Sequence, residues 1–141
     1  MMARYHGNVK GFTLVEIMLV VVIIGALAAM IIPRLSGRTE QAKASVAQAD
    51  IQSHLATALK LYELDNGMFP TTGQGLAALR AKPTTAPTAR NWRGPYIERD
   101  PIDPWGNLYV YSSPGEHRTD YDLSSKGKDA NSAQDDIVNW Q

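Results

Sequence analysis

The sequence predicts an α+β fold, a long N-terminal α-helix packed on a small antiparallel β-sheet head. Three observations carry this. From Phe12 to Ile32 every side chain is apolar or small except Thr13 and Glu16. Farther along, Ile51, Leu55, Leu59 and Tyr62 fall at i, i+4, i+8 and i+11, one face of a helix. In the last third, LYVYS at 108–112 alternates as a strand does, and a turn and a second strand-like run follow it.

The first element is a leader, MMARYHGNVKG, which carries Arg4 and Lys10 and has no apolar stretch of its own. An ordinary secretory signal is cut after its apolar stretch, at small residues. Here the small-residue break, Gly11-Phe12, comes before it. A cut there would remove the basic residues, keep the apolar helix and create an amino group at Phe12, about one helical turn from Glu16. Roughly 20 apolar residues span a bilayer core of ~30 Å as a helix, so residues 12–33 read as a transmembrane segment. A carboxylate in hydrocarbon costs on the order of 2–3 kcal/mol, which marks Glu16 as a functional residue. Its other reading is a carboxylate that reaches the headgroups and favours the positive end of its helix. Pro33 lacks the N–H for a helical bond and bends the helix unless neighbours compensate.

Beyond Pro33 the helical character continues. Val46 and Ala58 widen the apolar stripe of residues 46–62, and Thr39, Glu40, Gln41, Lys43, Gln48 and Asp50 supply a polar surface. Gly37 weakens the helix by about 1 kcal/mol relative to Ala. Asp65-Asn66-Gly67 stops it. Residues 74–81 read as a short helix ended by Lys82-Pro83, and 83–91 as a Pro/Thr/Ala-rich loop. Tyr96 and Ile97 begin an extended piece. Residues 100–107 are dense in turn formers, with Asp-Pro twice. Residues 108–112 and 119–125 form a hairpin around SPGEHR, and 126–141 is a polar tail with Asp129, Asp135 and Asp136. Trp92, Tyr96, Trp105, Tyr109, Tyr111, Tyr121 and Trp140 are the core of the head and its rim.

Composition narrows the function. The chain has 141 residues and zero formal net charge, with no basic signature for nucleic acid. The leader and apolar helix leave roughly a hundred residues, enough for one modest core. It has no cysteine, so no disulfide secures its loops. Arg34 and Arg38 after the apolar run offset Arg4 and Lys10 before it, so charge leaves the orientation open. His6, His54 and His117 have no metal-motif spacing, and no nucleophile triad, phosphate-cradling loop or HExxH occurs. Nothing here reads as an enzyme.

The segment from Gly11, with Phe12, Thr13, Leu14 and Glu16 ahead of an unbroken apolar run, resembles the type IV pilin-like family of pilins and pseudopilins. The resemblance sharpens with LYELDNGMFPTTGQGLAAL at 61–79, NWRGPYI at 91–97, DPWGNLYVY at 103–111 and DDIVNW at 135–140. Together these cover nearly everything from Gly11 to Trp140, and they are similar to the major, G-type, pseudopilins of type II secretion. A true pilin usually closes its C-terminal region with a cysteine pair, absent here. The resemblance implies a cleaved leader at 1–11, a membrane and filament-core helix at 12–33, and a periplasmic head at 34–141. It implies a prepilin peptidase that cuts after Gly11 and methylates Phe12. It implies that Glu16 pairs with the Phe12 ammonium of a neighbouring copy, and that Pro33 is where the helix breaks in the filament. The expected location is the bacterial inner membrane, single-pass, N-terminus cytoplasmic. The expected partners are copies of itself, minor pseudopilins, the inner-membrane assembly platform and membrane lipid. The function implied is a periplasmic pseudopilus subunit that helps drive folded proteins across the outer membrane. A surface type IV pilus subunit and a membrane-anchored periplasmic binding or enzyme domain are the alternatives.

The resemblance also implies one calcium ion on the C-terminal loop, with the Lys126 carbonyl, Asp129, Asp135 and Asp136 as ligands. This chain departs from the pattern. The intervening ANSAQ has no glycine and the loop is a residue or two short, which leaves open whether Asp135 or Asp136 is the key ligand. Taken by itself, the segment is equally a solvated acidic tail.

Overall fold

The structure, a computed structural model, describes residues 11–141, with only the backbone over 31–36. Residues 1–10 of the expected leader and the Pro33 side chain lie outside the described residues. Contacts divide the chain into two compact units, Met1–Thr39 and Glu40–Gln141.

Helix α1, Leu14–Ala49, is 36 residues long. Its backbone is helical at Pro33 as elsewhere. In the first unit every side chain from Gly11 to Met30 is exposed, Phe12 by 84% and Leu14 by 78%. A helix that is apolar all round needs lipid or other protein around it. Among the described residues no helix is long and apolar enough to cross a membrane. The run with described side chains ends at Met30, and the sequence continues it with Ile31 and Ile32.

In the second unit a π-helical turn, Asp50–His54, joins α1 to α2, Leu55–Asn66. The burial pattern accounts for the wide turn. Ala47, Ile51, Leu55 and Leu59 are all buried, at steps of four. In a regular α-helix each such step overshoots a full turn by about 40°, so three of them would carry the face about 120° round. The i→i+5 turn has more residues per turn and absorbs much of that drift. The buried face starts one residue later than the sequence reading placed it, since Ala47 and not Val46 is one turn before Ile51. Val46 is 52% exposed, and Ala47 takes the interior position. Helix α2 ends at Gly67, whose φ of 76° lets its amide donate to the Glu63 carbonyl at 2.7 Å.

The expected helix over 74–81 contracts to a 3₁₀ turn, Leu76–Leu79. Gln74 is occupied in holding the following loop, its Nε2 donating to the Thr85 and Pro87 carbonyls at 2.9 Å. Tyr96 and Ile97 join no strand. Instead the Tyr96 amide donates to the Leu79 carbonyl at 2.7 Å and its hydroxyl to Asp65 at 2.7 Å.

The sheet has three antiparallel strands in the order β1 (Val110–Ser112), β2 (Asp122–Ser125), β3 (Ile137–Val138). Tyr111 lies opposite Leu123, and Ser124 opposite Val138. The third strand comes from the segment read as a polar tail. Asn139 lengthens its pairing through the side chain: the Leu123 amide donates to Oδ1 at 2.9 Å, and Nδ2 donates to the Tyr121 carbonyl at 3.1 Å. Central strand β2 is buried throughout.

The core joins Ile51, Leu55, Leu59 and Tyr62 of the helix to Leu76 and Leu79, and to Tyr109, Tyr111, Tyr121 and Leu123 of the sheet region. Its aromatics keep a polar tip satisfied. Tyr111 donates to the Pro70 carbonyl at 2.7 Å, Tyr109 to Asp50 at 2.9 Å, and Trp92 to the Ala78 carbonyl at 2.9 Å. Burial pushes the Tyr109 and Tyr111 hydroxyls up, and Asp50 adds to the effect at Tyr109.

Asp103, 4% exposed, ties the turn-rich segment to the sheet. Its Oδ1 accepts the Trp105 and Asn107 amides at 3.0 and 2.8 Å, and its Oδ2 accepts the Ser125 hydroxyl at 2.6 Å. Asp103→Ala should destabilise the chain by about 2–3 kcal/mol, because it leaves three donors unpaired. Asp103→Asn, which keeps an acceptor for the amides, should lose less. Urea unfolding followed by tryptophan fluorescence measures both, and a loss below about 0.5 kcal/mol for Asp103→Ala would contradict the assignment.

Candidate functional site

At the N-terminus, Thr13 and Glu16 form a capping box. The Thr13 amide and hydroxyl both donate to Glu16 Oε2, at 2.8 and 2.9 Å. The Glu16 amide donates to Thr13 Oγ1 at 3.2 Å. The carboxylate is thus held within its own chain, at the helix end where negative charge is favoured. The signal was legible as T-x-x-E ahead of an apolar run, and the reading of Glu16 as a residue awaiting a partner overlooked it. Gly11 and Phe12 precede the helix and are exposed. An amino group made at Phe12 would lie one residue before the cap.

The second candidate is the loop Lys126–Asp136 between β2 and β3. Gly127 sits at φ +61°, and a Cβ there would collide with the carbonyl and carboxylate of Asp135, so the two ends of the loop touch at a position open only to glycine. The Gly127 amide donates to Ser125 Oγ at 3.1 Å, which fastens the loop to the Asp103 network. The Asp129 amide donates to Asp135 Oδ2 at 2.9 Å, and this bond holds the Asp135 carboxyl below the ordinary range. Lys126 Nζ donates to Asp136 Oδ2 at 3.0 Å. The remaining oxygens, Asp135 Oδ1 and Asp136 Oδ1, are buried without a hydrogen-bond partner. Such groups carry a desolvation cost, and an oxygen-seeking cation would relieve it.

Of the expected ligands, the consecutive Asp135 and Asp136 both line one cleft. The Asp129 carboxylate is turned to the Asn131 amide, its Oδ1 accepting at 3.0 Å. Lys126 meets Asp136 through its ammonium. Among the described residues no group of three His, Cys, Asp or Glu side chains is gathered to hold a metal. Sequence reasoning placed Trp105 only among the aromatics of the head and missed its pairing with Glu40, to which its Nε1 donates at 2.8 Å. Both line a cleft of about 450 Å³ shared with Asp135 and Asp136. Nothing in the spacing of Glu40 and Trp105 announces that pairing.

The C-terminus has its own anchor. The His117 ring stacks on Trp140, with centroids 4.2 Å apart and planes 3° from parallel. His117 Nδ1 lies 2.8 Å from Asp122 Oδ2. Burial opposes ionisation of Asp122, but the amides of His117, Arg118 and Glu116 together with the His117 ring outweigh it, and the carboxyl titrates below its ordinary value.

The comparisons with known proteins divide the chain in the same sense. Residues 7–32 match the prokaryotic N-terminal methylation motif, and residues 34–140 match type II secretion system protein G. The type II secretion system core protein G of Pseudomonas aeruginosa is 48% identical over 135 residues, covering 93% of this chain and 94% of that protein. Its Escherichia coli K12 counterpart is 50% identical over 133 residues, covering 93% and 90%. The crystal structure of the major pseudopilin from the type 2 secretion system of enterohaemorrhagic Escherichia coli matches with a TM-score of 0.65 at 41% identity, over 77% of this chain and 95% of that one. A methylation-type N-terminus on an apolar helix, together with this α+β head, has the build of pilin-like structural subunits. The chain belongs to the type II secretion system protein G family, the major pseudopilins.

The cap makes one measurable claim. Thr13→Ala should cost about 1 kcal/mol at the start of α1. Amide exchange of Glu16 and Ile17 in detergent micelles should then quicken about fivefold, and unchanged exchange would remove the cap from the account.

Proposed function

We propose that this chain is the major structural subunit of a type II secretion pseudopilus. Copies polymerise into a periplasmic filament that helps move folded proteins across the outer membrane. The observation that carries the reading is a capped apolar helix, exposed on every side from Gly11 to Met30, in a chain of the protein G family. Such a helix needs membrane first and other copies of itself afterwards. A prepilin peptidase cuts between Gly11 and Phe12 and methylates the new amine. Before assembly the helix crosses the inner membrane once, with its N-terminus cytoplasmic and its head periplasmic. The inner-membrane assembly platform and minor pseudopilins then direct polymerisation.

In this scheme Glu16 changes partners. In the single chain it caps its own helix through one carboxylate oxygen. In the filament it also receives the Phe12 ammonium of a neighbour, which sets axial register. Desolvation offsets much of the Coulomb gain, so the pair contributes more to register than to net stability. At Pro33 the helix opens on assembly, with neighbouring side chains satisfying the released backbone groups. Close similarity to secretion core proteins favours this over the surface-pilus reading.

The C-terminal loop holds one calcium ion in the proposal, through Asp135 and Asp136, whose Oδ1 atoms are buried and unpartnered. Asp129 and the Lys126 carbonyl complete the set that the family resemblance implies. The ion would supply positive charge and several bonds to oxygen, and so tie the loop and β3 to the sheet without a disulfide.

Two experiments test these roles. Intact-mass measurement of membrane-extracted protein should find a chain that begins at methylated Phe12, and Glu16→Leu should insert normally while losing filaments. Yield should fall about tenfold or more, since each 1.4 kcal/mol is a factor of ten. A mature chain retaining Met1, or normal filament yield from Glu16→Leu, would refute the scheme. For the metal, the full chain in detergent should melt higher with calcium than with chelator, and Mg²⁺ should substitute poorly. Asp135→Ala should abolish the difference. Melting indifferent to chelator would return the loop to the solvated-tail reading.

A further inference from the structure

A continuous line of contacts runs from the Lys126–Asp136 loop to the first residue of the second unit. Gly127 packs on Asp135 so closely that a Cβ would strike its carbonyl and carboxylate. The Gly127 amide donates to Ser125 Oγ at 3.1 Å, and the Ser125 hydroxyl donates to Asp103 Oδ2 at 2.6 Å. Asp103 Oδ1 accepts the Trp105 amide at 3.0 Å. The Trp105 indole then donates to Glu40 Oε2 at 2.8 Å, and the second unit begins at Glu40. In front of this line, Trp105 and Glu40 share one cleft with Asp135 and Asp136.

The members of the line differ in what it costs to break them. Ser125 is fully buried and Asp103 is 4% exposed. Water cannot replace a partner there, so a broken bond leaves a buried polar group unsatisfied. These inner links therefore pass a displacement of the loop onward rather than absorb it. The outer link is different. The Glu40 side chain is 35% exposed, and its Oε1 lies 3.8 Å from Lys43 in an exposed pair that contributes little. Glu40 can exchange the indole for water at small cost. Contiguous networks carry coupling where one member has two discrete arrangements, and the Trp105–Glu40 bond is that member.

We infer that Glu40 is a positioning residue that reads the state of the C-terminal loop through Trp105. When the loop is closed on its cation, the indole is held on Glu40 and the helical turn at residues 40–44 is fixed. When the loop loosens, this bond opens first. The inference rests on the calcium reading of the loop. It adds that occupancy is felt on a helix some ninety residues earlier in the chain, at a carboxylate that acts through Trp105 and not as a ligand.

The chain has three tryptophans, so indole labelling with ¹⁵N gives few signals, and Trp105→Phe assigns the one that matters. In the full chain in detergent, calcium chloride should slow hydrogen exchange at the Trp105 indole about tenfold relative to chelator, the scale of a hydrogen bond to a charged acceptor. The amides of residues 41–44 should slow with it. In Glu40→Ala the indole should exchange fast with or without calcium and residues 41–44 should stop responding, while calcium still slows the Gly127 and Asp129 amides. Glu40→Gln keeps an acceptor and should restore most of the response. Calcium that protects Gly127 and Asp129 but leaves the wild-type Trp105 indole unchanged would overturn the coupling and spare the calcium reading, and this comparison needs no variant of Glu40. A response of residues 41–44 that survives in Glu40→Ala would overturn it equally. Loop amides indifferent to calcium would remove the calcium reading and the inference together.

Discussion

The head depends on a single buried ridge, Ala47, Ile51, Leu55, Leu59 and Tyr62, to which every other element is fitted. An α-helix cannot keep such a four-residue repeat on one face. The π turn at Asp50–His54 is the local adjustment that makes the ridge continuous. Asp50, the first residue of that turn, accepts the Tyr109 hydroxyl and lies 2.7 Å from His54. The irregular turn therefore also carries a polar link from the helix to the segment that leads into β1. Moving the ridge by one residue would misplace that link and the apolar packing together.

With no disulfide available, polar links hold the loops of the second unit. Tyr and Trp tips reach backbone carbonyls or carboxylates, and buried Asp103 and Asp122 each gather several backbone amides. These are directional contacts that fix loop conformation. Their net stabilising effect is modest, about 1 kcal/mol per bond. The apolar ridge supplies most of the driving force, and the carboxylates decide which loop shape is adopted.

How much of this was legible varies with the kind of signal. The apolar run, the stripe at Ile51, Leu55, Leu59 and Tyr62, the stop at Gly67 and the strand at residues 110–112 all follow from periodicity or turn chemistry acting over short range. The capping box was legible in the same way, in Thr13 and Glu16. Other features were not, because they depend on distant partners. Nothing near Ile137 marks it as a strand until β2 lies beside it. Nothing in Asp103 separates it from the other turn aspartates until Ser125 arrives. Val46 was preferred to Ala47 for its larger apolar side chain, although Ala47, four residues before Ile51, falls nearer the buried face than Val46 at five. At the acidic loop, residue type suggested a cation. That the Asp135 end of the loop lies against Gly127 was not legible, because it depends on how the loop closes on itself.

Strand β3 and Asn139 fill one edge of the central strand from a segment that returns to it across the Lys126–Asp136 loop. Until that segment is in place, β2 has one neighbour and an open edge, and Leu123 lacks the side-chain partner that pairs its amide. The three-stranded sheet is therefore complete only once residues 137–139 have reached β2, so the hairpin β1–β2 and the segment that caps it are separate steps in building one surface.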